Sequence, residues 1–118
     1  MHVSRTIRGW ITVAAVAMAA GCGQNSLGDP TGSTCPADSK LTYETFGKAF
    51  FAANCLECHA SKESPQFNTL EQIQASKDEI DRAAAAGPKT TNTYMPDGAD
   101  VSDADRKKLG EWLACGAP

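Results

Sequence analysis

The sequence predicts an all-α domain. Three stretches, residues 42–54, 69–86 and 102–115, carry apolar side chains at helical spacing behind residues suited to cap a helix. Aromatic residues make up only 7% of the chain, β-branched content is low, and no strand-rich pattern surrounds its middle. With 118 residues the chain has room for one domain and not two.

The first 21 residues read as a targeting segment rather than as part of the fold. Arg5 and Arg8 form a positive start, and residues 9–20 form an apolar run too short to span a bilayer comfortably. Ala19-Ala20-Gly21 then precede Cys22. Small residues before a cysteine resemble the lipobox of bacterial lipoproteins, in which that cysteine is acylated and becomes the new N-terminus. The alternative is simple cleavage after an A-x-A site at Ala17-Met18-Ala19. Both readings export the mature domain, to the periplasm or cell envelope, and the first anchors it to a membrane through lipid on Cys22.

Export also changes the charge. The whole chain carries −3, and loss of the two leader arginines takes it to −5. An acidic domain of this kind has no footprint for nucleic acid. It suits partners with a neutral or positive docking face. Residues 22–40 are rich in Gly, Ser, Asn, Thr and Pro, and are expected to be a flexible tether that leaves orientation free. The domain proper is expected over residues 41–118.

The first helix is expected to start behind Thr42 as N-cap, with Leu41 and Phe46 as a hydrophobic staple. Tyr43, Phe46, Phe50 and Ala53 share one face. Gly47 inside it costs roughly 1 kcal/mol relative to Ala, which suggests close approach of another helix.

That helix leads into Cys55-Leu56-Glu57-Cys58-His59. The pattern C-x-x-C-H is the attachment site of a c-type haem. Two thiols one helical turn apart can add to the two vinyl groups of one porphyrin, and the adjacent imidazole then sits under the iron as proximal ligand. Zinc would need four ligands, usually a second Cys or His pair elsewhere. A thioredoxin-like C-x-x-C would need a βαβ setting. Neither context is present.

After His59 the chain is polar and loop-like to Asn68. A metal-bound histidine usually donates its other ring N–H to a carbonyl or carboxylate, and Ser64 or Pro65 is placed to supply one. Phe67 is expected to pack against core or porphyrin. Thr69 and Gln72 form a capping box for a segment that Ser76 could divide and that Gly87-Pro88 stops. The acidic run Asp78, Glu79 and Asp81 reads as a solvated face.

Residues 90–98 lose all periodicity, and Pro96 pushes Met95 away from helical geometry. An isolated Met is ordinarily core filler. With the leader removed, however, His59 is the only His and Met95 the only Met, so a second protein ligand to the iron falls to Met95. The last helix starts behind Ser102, has Asp103 and Asp105 in its first turn, and buries Leu109, Trp112 and Leu113. Trp112 is expected against the first helix near Gly47 and Phe50.

Of five cysteines, Cys22 is assigned to lipid and Cys55 and Cys58 to haem, which leaves Cys35 and Cys115. They precede the first helix and end the last. If those helices cross, the two thiols can meet as a disulfide, which an exported protein permits; otherwise both stay unpaired.

Taken together, residues 41–114 resemble the small monohaem cytochrome c family. The resemblance rests on a helix entering C-x-x-C-H, an irregular middle, Met95-Pro96 on a loop, and a last helix with Leu109, Trp112 and Leu113 in an L-x-x-W-L pattern. It implies a cytochrome c-like fold, with the first and last helices crossed, around one covalent haem c between His59 and Met95. It implies a single-electron carrier between redox protein donors and acceptors rather than an enzyme. Two other readings are a peroxidase-like enzyme with Met95 labile and a haem-bearing subunit of a larger redox complex.

Overall fold

A computed structural model of the protein describes residues 27–118. The targeting segment and Cys22 lie outside the described residues. Within them the regular structure is helical, with no strand beyond a single bridge between Ala86 and Thr91.

Thr42 caps the first helix: its side chain accepts from the Thr45 N–H, and the Thr45 hydroxyl takes the Thr42 N–H in return. The first turn, Tyr43–Gly47, is π-helical and runs into α1 (Lys48–Asn54). After Cys55 a single turn, α2 (Leu56–His59), carries Cys58 and His59. Thr69 and Gln72 form the reciprocal cap of α3 (Leu70–Ala75). Ser76 separates α3 from α4 (Lys77–Ala84), and Ser102 caps α5 (Asp103–Ala114) through the Asp105 N–H. Helix α4 ends before Gly87-Pro88: Ala85 is already extended, and Ala85 and Ala86 are buried as an extended stretch. The Ala86 N–H there donates to the Arg106 carbonyl at 2.9 Å instead of continuing the helix.

The core is an aromatic cluster with an aliphatic border. Trp112 is fully buried, with Phe46 and Phe51 ring centroids at 6.1 and 6.2 Å. Phe51 in turn meets Phe67 edge-on at 5.3 Å. Ile73, Ile80, Leu109 and Leu113 close the space around these rings. Trp112 lies directly on Gly47, so the last helix seats on the N-terminal turn that opens the first. The Trp112 indole N–H donates to the Pro118 carbonyl, so the buried ring leaves no polar atom unpaired.

One expectation is overturned. Residues 27–40 are not a free tether, because their first part is strapped to the domain. The Thr31 N–H and hydroxyl both donate to the Asp81 carboxylate, at 2.9 and 2.6 Å. Gly28 and Arg82 exchange two hydrogen bonds, and Asn92 Nδ2 donates to the Asp29 carbonyl. Thr31 is fully buried as a result. Composition misleads here because the strap is held by its backbone and short hydroxyls, not by an apolar face. Asp81 is corrected with it: it is an acceptor for the strap and not part of a solvated face. Farther along, Ser39 donates to Glu111 at 2.6 Å. Cys35 and Cys115 stand with their sulfurs 1.92 Å apart and their α-carbons 4.7 Å apart, between strap and α5.

Candidate functional site

One cavity of about 340 Å³ gathers the chemistry-bearing residues. That size is at the small end of the roughly 300–1,000 Å³ usual for ligand sites, and the cavity is partly open to solvent. Cys55, Cys58, His59 and Met95 all line it. Its apolar walls come from Phe67, Ile80, Ala83 and Ala84. Glu57, Glu79 and Asp97 also border it, and among the described residues no Lys or Arg does.

His59 is held in two ways. Its Nδ1 lies 2.7 Å from the Pro65 carbonyl, which can only accept, so Nδ1 carries the proton. In the neutral ring the lone pair is then on Nε2, the state a metal-ligating imidazole needs. The Phe67 ring packs on the imidazole with centroids 4.7 Å apart and planes 33° apart. The loop between Ala60 and Phe67 is closed behind it by the Phe67 N–H donating to the His59 carbonyl. Pro65 is therefore the carbonyl that the sequence reading left between two candidates.

Cys55 sits where α1 hands over to α2, and burial pushes its thiol up from 9.0 to about 12. An uncharged thiol in an apolar wall suits a site whose occupant is itself apolar.

Met95 is fixed through its backbone. Its N–H donates to the Ala83 carbonyl at 2.9 Å, and its carbonyl accepts from Arg106 Nη1 at 2.7 Å. Arg106 was not legible as a site residue. Read in sequence it opens the cationic run Arg106-Lys107-Lys108, a pattern typical of a wet helix face. In the fold it is buried, and burial lowers the pKa of its guanidinium, with Asp100 and Asp103 opposing.

Two cysteines, an oriented imidazole and a thioether lining one apolar cleft fit a haem of the c type: cysteine sulfurs for attachment, imidazole and thioether as donors for iron, apolar walls for the porphyrin. An all-helical domain with this site is a small c-type cytochrome domain, whose chemistry is haem-based electron transfer. A protein-family model described as cytochrome C oxidase, cbb3-type, subunit III matches residues 44–113, and the chain belongs to that family. Neither the curated proteins nor the solved structures compared with the chain gave a match.

Proposed function

We propose that the protein is a single-electron carrier with one haem c, joined covalently to Cys55 and Cys58 and ligated by His59 and Met95. The observation that carries this reading is the convergence of those four side chains on one cavity. The haem, when bound, supplies a one-electron iron couple. The residues supply the rest. The Pro65 carbonyl holds the His59 ring by its Nδ1 proton. Phe67, Ile80, Ala83 and Ala84 keep water from the cleft wall. A thioether from Met95 favours the reduced state and so raises the potential. With His59 and Met95 both given to the iron, no position is left for a substrate, which argues for transfer over catalysis.

The protein works outside the cytoplasm, where c-type cytochrome domains typically act, held by lipid on Cys22 and braced by a Cys35–Cys115 disulfide. No helix among the described residues is long and apolar enough to cross a membrane. The strap reaches Leu27, which lines the cleft and stands five residues after Cys22. Those residues span at most about 18 Å, so a lipid on Cys22 would keep the cleft close to the bilayer. The test is the absorption spectrum and intact mass of protein purified from its own membranes. Covalent haem, a low-spin spectrum with a Met–iron(III) band in the red, and an acyl mass on Cys22 are expected. A high-spin spectrum that responds to carbon monoxide would overturn the carrier reading.

A second reading is favoured by the family match: the domain serves as a haem-bearing subunit of a larger redox complex. Mild-detergent purification separates the two readings. A stable complex with a larger enzyme, and no electron exchange by the isolated chain, would select the subunit.

A further inference from the structure

Arg106 is buried to 4% exposure, yet its polar contacts are all backbone carbonyls. A single nitrogen, Nη1, donates to Ala84 at 2.8 Å, Asn92 at 2.9 Å and Met95 at 2.7 Å. These carbonyls belong to the end of α4, to the loop behind it, and to the proposed distal ligand itself. Arg106 is one turn into α5, whose far end is seated by Trp112 on Gly47. The guanidinium thus ties the Met95 segment to the longest of the described helices. Asn92 completes the arrangement: it is buried, its N–H donates to the Ala85 carbonyl, and its side chain donates to the Asp29 and Asp81 carbonyls.

A helix-packing arginine would not need this arrangement. Residues 90–98 have no regular structure of their own to hold Met95 in place. Its peptide is instead held at both ends, by the Ala83 carbonyl on one side and Arg106 on the other. Thioether ligation is weak enough that such holding decides whether it persists. The charge has a second effect. A buried cation that no carboxylate pairs directly, although Asp100 and Asp103 act on it through their charge, disfavours a neighbouring centre's more positive oxidation state.

We propose that Arg106 is the positioning residue for Met95: its guanidinium fixes the Met95 carbonyl so that the thioether is presented to the iron, and its charge raises the reduction potential. The proposal rests on Met95 being the distal ligand.

The test compares Arg106→Gln and Arg106→Lys with wild-type holoprotein in three readouts: the Met–iron(III) band, the potential by redox titration, and carbon monoxide binding to the reduced protein. Arg106→Gln should lose most of the band, lower the potential and begin to bind carbon monoxide. Arg106→Lys should weaken the band while keeping more of the potential, because the charge stays and the three-carbonyl contact does not. If Arg106→Gln does not accumulate, Arg106→Lys decides alone by the same band. A lower melting temperature with band and potential unchanged would overturn the proposal, leaving Arg106 a packing residue. Met95→Ala separates this from the reading beneath it. A wild-type protein without the band, or a Met95→Ala protein that keeps it, refutes Met95 as ligand and not only the role of Arg106.

Discussion

The indole of Trp112 rests on the α-carbon of Gly47. A β-carbon at position 47 would come within 2.6 Å of two atoms of the six-membered ring. Gly47→Ala therefore sets two effects against each other. Alanine gains roughly 1 kcal/mol of helix propensity. Overpacking a filled core costs about 1–3 kcal/mol. Trp112 is fully buried and rigid, so the clash prevails. We expect a net loss of about 1–2 kcal/mol in denaturant unfolding of the holoprotein. A Gly47→Ala protein as stable as wild type would show that the two helices can part without cost.

The strap gives a second expectation. Thr31 directs two donors at the Asp81 carboxylate, and hydrogen bonds to charged groups contribute about 1.5–3 kcal/mol each at most. Asp81→Asn keeps the shape and removes the charge, and should cost about 1–2 kcal/mol. Limited proteolysis should then cut residues 27–33 faster than in wild type. Equal cutting rates would mean the strap is held by its other contacts.

Cys35 and Cys115 are separated by 80 positions. On the loop-entropy account, closing that loop stabilises the fold by on the order of 4 kcal/mol. Cys35→Ser with Cys115→Ser should lower the melting temperature strongly while leaving the haem spectrum in place. Free thiols at both positions in the mature wild-type protein would contradict the pairing.

The Cys55 thiol makes a pH-dependent prediction for the folded chain made without haem. Its pKa of about 12 in the fold, against 9.0, favours the neutral form. Between those values only the unfolded thiol ionises. The Cys55 contribution is thus fully present below about pH 9 and is lost as pH rises toward 12. Iodoacetamide labelling of the Cys55 peptide at neutral pH should be slower than in denaturant by on the order of a hundredfold or more. Equal rates would place Cys55 in water.

Met95→His replaces a thioether by an imidazole. A stronger donor to iron(III) lowers the potential, so redox titration should find the variant below wild type. An unchanged potential would exclude Met95 from the iron.

The features legible in the sequence share one property: they are local. Thr42, Thr69 with Gln72, and Ser102 cap helices because a side chain reaches a backbone N–H two or three residues away. Ser76, which divides α3 from α4, does so without a side-chain cap, through its backbone N–H to the Ile73 carbonyl. What was missed is long-range and polar. Thr31 and Asp81 lie 50 residues apart. Arg106 looks like part of a solvated charge run until the Met95 loop folds over it.

From sequence alone came the haem-binding motif at Cys55, Cys58 and His59, the helical class, and Met95 as the remaining thioether, since attachment chemistry and helix caps depend on spacing within a few residues. The tertiary structure decided which carbonyl orients His59, how Met95 is held, and that residues 27–33 belong to the domain. Each of those depends on a hydrogen bond to a backbone group, and a backbone group has no identity in a sequence until folding gives it a position.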